Sequence, residues 1–358
     1  MALSSFKVYC LSVIKGPVLR DFGETLSVSI IFHQLHRHAY GHIFHLHVCI
    51  SIANVWYSAH TGTETPKPMD SEDCQKIEDV TVYTEHLLGN GAFGHVFKGE
   101  FNNMPCAVKV LNPVGTELLT KLPTASNSSI QLNALEKFRC ECEYLQKIRH
   151  ENIVSHIATR TFKTKTTQCP VLVMELLDCN LRKYLGEVSK VKLTVQVSLS
   201  ADVASALEFL HHKERKLVHR DLCGDNILLL TRTFPFPVAK ISDFGMSRII
   251  DFETMSRSLS AMGHRNGYLP REAALYSSSD SYDSSLDIYM FGAVMTQIAR
   301  KIPHIESARQ RQELVDTIES GHPLRDLILK CLEDNKMARP NAGVIRTVLC
   351  DRLQHLLV

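Results

Sequence analysis

No two of the eleven cysteines form a C-x-x-C pair, and their number is odd. Both facts argue against a disulfide framework or a zinc site and favour a reducing, cytoplasmic setting. A surplus of charge is also missing, because 40 Lys and Arg face 38 Asp and Glu for a formal net charge of +2. That balance gives no reason to expect nucleic acid or an acidic surface as partner. Tryptophan occurs once, at Trp56. Within the first 68 residues the longest apolar run, 43–57, is broken by His45, His47 and Asn54. It falls short of the roughly 20 residues a spanning helix needs, so no transmembrane span is expected. Residues 8–14 look like the core of a signal peptide, but Lys7 and Lys15 bracket them and no small-x-small cleavage pattern follows. What is present is 44% hydrophobic composition over 358 residues, enough for a sizeable core divided between two packed lobes.

The first 68 residues differ from the rest. Seven of the eighteen histidines lie between His33 and His60, and His33-x-x-His36-x-His38 recurs as His42-x-x-His45-x-His47. On a strand His36 and His38 would share a face that Zn2+ or Cu2+ could use. No carboxylate or cysteine stands at a spacing that completes the shell, so the tract reads as compositional bias. Residues 61–68 read as a linker. Residues 1–68 are expected to be poorly ordered or an extension foreign to the natural protein, with Met69 as an alternative start and 69–79 as an acidic lead-in.

The chemistry concentrates in Val218-His219-Arg220-Asp221-Leu222-Cys223-Gly224-Asp225-Asn226 and Ile241-Ser242-Asp243-Phe244-Gly245. Two carboxylates and an amide lie close to short apolar segments that read as strands. Asp221 can accept or orient the proton of an attacking hydroxyl. Asn226 and Asp243 offer the hard oxygen ligands that Mg2+ prefers when it also holds substrate phosphates. Upstream, Leu88-Gly89-Asn90-Gly91-Ala92-Phe93-Gly94-His95-Val96 spaces three glycines so that a strand-turn-strand hairpin could approach phosphates closely. More strand follows Gly94, which departs from a dinucleotide-binding fold, and no Gly-Lys-Ser/Thr of a Walker loop is present. Lys109 sits inside Cys106-Ala107-Val108-Lys109-Val110, where its charge needs an anionic partner. Residues 135–148 carry apolar or small side chains at helical spacing, with Glu136, Glu141 and Glu143 as candidate partners.

H-R-D-L-x-x-x-N followed by D-F-G resembles the catalytic and metal loops of protein kinases, whose general template is well described. The resemblance covers roughly residues 82–355. It implies an α+β bilobal fold: a small antiparallel β-sheet lobe with one key helix (80–174), a hinge (175–180) and a larger, mainly helical lobe (181–357). It also sets Phe138 and His150 in the register that selects Glu141 as the partner of Lys109. ATP would be bound by Leu88, Gly89, Asn90, Gly91, Ala92, Gly94, Val96, Ala107, Lys109 and Glu141. Met174 would stand at the back of the adenine slot, Glu175 and Leu177 would offer backbone groups, and Leu228 would close the opposite face. Asp221, Lys109, Asn226 and Asp243 would be catalytic, with Asn226 and Asp243 holding Mg2+. Glu272 would pair with Arg339, and Asp287 would cap the catalytic loop. The connection 112–133 is expected to be a mobile surface insertion, 198–211 an amphipathic helix, and 324–356 helical.

Three departures bear on the acceptor. Cys223 and Asp225 occupy places where Ser/Thr kinases usually carry Lys and Tyr kinases Arg. Gly263-His264-Arg265-Asn266 stands where Ser/Thr kinases have Gly-Thr, and Arg271 replaces a proline. Ile241-Ser242-Asp243-Phe244-Gly245-Met246-Ser247-Arg248 and Tyr268-Leu269-Pro270 are most similar to the tyrosine-kinase-like group, which implies protein substrates with Ser or Thr acceptors ahead of Tyr. The alternatives are a tyrosine or dual-specificity kinase, or a nucleotide-binding pseudokinase acting as a scaffold. Thr254, Ser256, Ser258 and Ser260 lie among Arg248, Arg257 and Arg265, and a phosphate there could pair with Arg220 and order the segment. A phosphatase-treated preparation is therefore expected to be less active than a phosphorylated one, and equal rates would remove this regulatory reading.

Overall fold

The computed structural model describes residues 74–91, 94–111, 128–163, 168–233, 235–249, 266–274 and 283–358. The expectations for 1–68, Met69, Ala92, the connection 112–127 and the segment 250–265 lie outside the described residues. The chain divides into units Met1–Met69 and Asp70–Val358, and all that follows concerns the second.

The smaller lobe is built on a sheet of strands β1 (Cys74–Ile77), β2 (Val80–Gly91), β3 (Gly94–Phe101) and β4 (Met104–Leu111). After helix α1 (Ser128–Lys147) come β5 (His156–Lys163) and β6 (Gln168–Glu175), and the order is β1-β2-β3-β4-β6-β5, antiparallel throughout. Alternation sets the faces: Val80 and Val82 are buried while Thr81 and Tyr83 are half-buried. Asn102 and Asn103, with φ of 49° and 62°, make the tight turn between β3 and β4 that a positive-φ pair provides. The lead-in contributes β1, an edge strand the acidic reading lacks. Its turn to β2 is tied down by Arg160, which donates to both oxygens of Asp79 at 2.7 Å. Helix α1 begins at Ser128 rather than at residue 135, so the insertion's last six residues are helical. Its buried side chains Phe138, Glu141, Cys142 and Leu145, followed by Ile148 just past its end, share one face, which packs on the sheet and on residues 244–246.

The larger lobe starts with β7 (Cys179–Asn180) and α2 (Leu181–Glu187), whose first turn is capped when the Asn180 side chain accepts from Lys183 N–H at 2.8 Å. Then follow α3 (Leu193–His211), β8 (Leu217–Val218), β9 (Ile227–Leu230), β10 (Val238–Ile241) and β11 (Arg248–Ile249). Helices α4 (Ser285–Arg300), α5 (Ala308–Asp316), α6 (Arg325–Cys331) and α7 (Ala342–Leu357) complete it. Helix α3 starts at Leu193 and has the two faces expected of it, one fully buried and the other, with Ser198, Ala201, Asp202, Ser205 and Glu208, half-buried. By length and composition it could cross a membrane, yet half of its apolar window is buried in the lobe, where it packs on α7 and β10. The run 324–356 is interrupted between α6 and α7, where Pro340 cannot continue a helix and Asn335 and Asn341 turn their side chains onto the N–H groups of Met337 and Val344.

Arg339 is enclosed under α4. It donates to Glu272 Oε1 at 2.6 Å and to the carbonyls of Glu333 and Ser285, and it stacks on Tyr289. Because Glu272 stays a quarter exposed, losing Arg339 is expected to cost about 3 kcal/mol, the lower end for a broken buried pair. Urea unfolding should show Arg339→Met to be more damaging than Glu272→Gln, which leaves the carbonyl contacts in place.

Candidate active site

Strand β4 is buried on both faces from Cys106 to Leu111, and Lys109 is 5% exposed within it. Its Nζ donates to Glu141 Oε1 and Oε2 at 2.8 and 2.7 Å and to Asp243 Oδ1 at 2.8 Å. The helical register thus brings Glu141, and not the exposed Glu136 or Glu143, to the lysine. Burial alone would push the Lys109 ammonium down. The charges of Asp243 and Glu141 overcome it and hold the group above its ordinary value, firmly protonated. Burial pushes Glu141 up to about 7, against the pull of Lys109 and with the help of Asp243. Asp243, 28% exposed at the side chain, is left below the usual carboxylate range because Lys109 outweighs its burial.

Asp243 has φ 62°, a left-handed conformation that aspartate adopts more readily than most side chains, and its Oδ1 accepts from Gly245 N–H as the chain turns. Behind it Phe244 is fully buried against the His219 ring, whose Nε2 lies 2.9 Å from the Ser242 carbonyl. The two motif stretches are joined further by Ser242, whose N–H and Oγ both donate to the Asn226 carbonyl. Asn226 Nδ2 donates to the carbonyl of Asp221 and to its Oδ2 at 3.0 Å, fixing the carboxylate's orientation. From below, Asp287 on α4 accepts from the His219 and Arg220 N–H groups at 2.8 Å each and from His211 Nε2. This support lets Arg220 hold a φ of 69°.

The proposed nucleotide slot lies between strands. Val96 pairs with Lys109 across β3 and β4, Ala107 with Met174 across β4 and β6, and Leu228 with Asn180 across β9 and β7. Ala107 and Met174 are buried and Val96 and Leu228 half-buried, whereas Leu88 is 49% exposed and Asn90 is exposed. At Gly94 a Cβ would collide with the Val110 carbonyl oxygen, so this glycine is required by strand packing; at Gly89 a Cβ would meet open space. Gly91 closes the hairpin opposite Gly94. In the hinge, Glu175 N–H donates to the Ser155 carbonyl, while Leu177 makes no backbone hydrogen bond among the described residues.

Only the backbone of Glu175 was considered in the sequence, and its side chain proves to be a joint. Glu175 Oε1 accepts from Ser155 N–H at 2.7 Å and from Lys240 Nζ at 2.8 Å. The rule that found Lys109, a lysine among apolar strand residues, also applies to Val238-Ala239-Lys240-Ile241. Cys223 is buried and Asp225 pairs with Arg182 at 3.5 Å on the surface, so neither brings a cation to the site.

Among the described residues no three His, Cys, Asp or Glu cluster as a metal centre. Asn226 and Asp243 fit Mg2+ nonetheless, because this ion takes one or two protein ligands and completes its shell with waters and phosphates. Asp243 Oδ1 is taken by Lys109 and the Asn226 Nδ2 by Asp221, so the remaining side-chain oxygens of Asp243 and Asn226 are the ones that would meet the ion.

A two-lobed fold that grips a lysine between a helix glutamate and a strand-end aspartate defines a phosphoryl-transfer domain of the protein kinase kind. Residues 82–349 match the family described as protein tyrosine and serine/threonine kinase, and the chain belongs to that family, whose activity is ATP-dependent phosphoryl transfer. Its relatives include the serine/threonine-protein kinase VIK of Arabidopsis thaliana, 25% identical over 77% of this chain and 61% of that protein. Another is the dual specificity protein kinase shkC of Dictyostelium discoideum, 26% identical over 81% of this chain and 55% of that protein. The serine/threonine-protein kinase Wnk of Drosophila melanogaster is 29% identical over 64% of this chain and 10% of that protein. The chain therefore spans less than two thirds of the length of these relatives.

Burial pushes the Asp287 carboxyl up, but the hydrogen bond from His211 and the loop N–H groups prevail and leave it below its ordinary 3.8. A depressed carboxyl contributes stability in full above 3.8 and loses it as pH falls through the folded value. The stability gap between wild type and Asp287→Asn, read by urea unfolding from pH 7 to pH 2, should accordingly be constant near neutrality and close in acid.

Proposed function

We propose that the protein is an active kinase that transfers the γ-phosphoryl of Mg-ATP to a protein hydroxyl, with Ser or Thr preferred to Tyr. One observation carries this reading: Lys109 is bonded at once to Glu141 and Asp243. A lysine so held is charged and fixed where phosphates can meet it, and Asp243 is fixed beside it. Leu177 would present its backbone groups to the adenine edge, with Val96, Ala107, Met174 and Leu228 as the apolar walls. Asp221 would receive and orient the acceptor hydroxyl, because the Asn226 amide already holds one of its oxygens. Asn226 and Asp243 would hold Mg2+, which when bound neutralises phosphate charge.

Preference for Ser and Thr is supported by the likeness to the tyrosine-kinase-like group and by two of the relatives above, VIK and Wnk, which are serine/threonine kinases. Cys106, Cys140, Cys142, Cys179, Cys223, Cys331 and Cys350 are free thiols, which supports a reducing, cytoplasmic setting.

The test is incubation with labelled ATP, Mg2+ and a mixed pool of Ser, Thr and Tyr peptides beside an Asp221→Asn control. The control is expected to lose about 10²-fold or more of the rate, the share of a positioned proton acceptor. Equal labelling by both proteins would falsify the enzyme reading, and silence from both would favour the scaffold. Phosphoamino-acid analysis assigns the acceptor.

A further inference from the structure

Strand β10 leads into Asp243, and its two edges are held differently. Along one edge it pairs with β9. The other edge meets segment 152–154, which is too short to cover it. Ile241 N–H donates to the Asn152 carbonyl at 2.8 Å, and the Ile241 carbonyl accepts from Val154 N–H at 2.9 Å. The Ala239 carbonyl accepts from Asn152 Nδ2 at 3.1 Å. A further rung of this parallel ladder would bring the carbonyl of residue 150 to Ala239 N–H. The chain turns there instead, and the His150 carbonyl accepts from Ile153 N–H at 3.2 Å. Ala239 is fully buried, so its N–H needs another acceptor.

Asp202 supplies it from α3. Its Oδ2 accepts from Ala239 N–H at 2.8 Å, so a side-chain carboxylate stands where a strand carbonyl would. The titratable groups facing it are Glu151 after α1, Lys240 on β10 and the Cys350 thiol on α7. Lys240 Nζ is itself bonded to Glu175 at 2.8 Å. Burial pushes the Asp202 carboxyl up to about 7, against the pull of Ala239 N–H, Asn152 and Lys240. Ionisation of an acid so raised weakens the fold, not at all below the ordinary 3.8 and in full above about 7. A carboxylate that costs stability at neutral pH, yet holds a backbone N–H four residues before Asp243, points to a task other than stability.

We propose that Asp202 is a positioning residue for Asp243: by closing the free edge of β10 it fixes where that strand sets the aspartate beside Lys109. The inference rests on the kinase reading above. Asp202→Ala removes the acceptor, and Asp202→Asn keeps an acceptor oxygen but cannot ionise. The ionised carboxylate is the stronger acceptor, so the hold on β10 tightens as pH rises through about 7.

Two measurements on the full chain test it. Without ligand, hydrogen exchange at Ala239 N–H should be about tenfold faster in Asp202→Ala, the factor equivalent to one lost buried hydrogen bond to a charged group. With labelled ATP at fixed concentration and the best-labelled peptide of the mixed pool, Asp202→Ala should raise the Mg2+ concentration for half-maximal rate by about the same factor. The peptide KM should stay within about twofold. Asp202→Asn should recover most of the loss. Unchanged exchange or an unchanged Mg2+ requirement in Asp202→Ala overturns the proposal, as does a peptide KM that rises in parallel, which marks a general structural role. Should Asp202→Ala fail to fold, the pH profile decides. The Mg2+ requirement of the wild type, divided by that of Asp202→Asn, is expected to fall as pH rises through about 7, and a flat ratio overturns the proposal. Absence of transfer by the wild type overturns the kinase reading itself and this inference with it.

Discussion

A charged amine enclosed in a sheet is costly unless anions meet it, and the arrangement around Lys109 answers that cost from two directions. Glu141 can reach the amine only if α1 lies against the sheet, which the buried Phe138, Leu145 and Ile148 secure. Asp243 can reach it only if the chain turns sharply after β10, which its positive φ and the burial of Phe244 provide. Helix docking, turn geometry and the closeness of the two lobes are thus separate conditions for one contact. The electrostatics of the site follow, since a protonated amine keeps Asp243 ionised.

The catalytic loop is held by a different device. Asp287 belongs to a helix buried along its whole central length, and from there it takes two consecutive backbone N–H groups. Asn226 and Ser242 then stitch that loop to the Asp243 turn. Asp221 receives its orientation through hydrogen bonds to a rigid scaffold, which is what a proton acceptor requires if it is to meet a hydroxyl repeatedly in one geometry.

Lys109, Glu141, Asp221, Asn226 and Asp243 could be read from the sequence because each is a polar residue at a fixed distance from an apolar strand or helix stripe. Their convergence follows from the pairing of those strands. Other features were less legible. Strand β1 has little apolar content and exists because β2 offers it an edge. Helix α3 has the two faces its sequence suggests, but packing against α7 and β10 half-covers the one that carries Ser198, Asp202, Ser205 and Glu208. The break between α6 and α7 was signalled by Pro340 and two asparagines, but the surrounding helical spacing concealed it. Contacts such as Glu175 with Lys240, 65 residues apart, depend on tertiary placement that no local pattern encodes.

The parallel bridge between Ile153 and Ile241 has a mechanical meaning. Val154 N–H donates to the Ile241 carbonyl at 2.9 Å, Ile241 N–H to the Asn152 carbonyl at 2.8 Å, and Asn152 Nδ2 to the Ala239 carbonyl at 3.1 Å. The smaller lobe is consequently fastened to the larger one by backbone bonds in this seam, in addition to the peptide link after Glu175 and the side-chain contacts of Glu175 with Lys240 and of Lys109 with Asp243. Side-chain contacts can part and re-form, but sliding or twisting of one lobe on the other must tear the backbone seam, whereas a swing about the line through the seam and the chain link need not. A movement between the lobes that spares the seam is then a door-like rotation, and its reversal returns the amine of Lys109 to the same station beside Asp243.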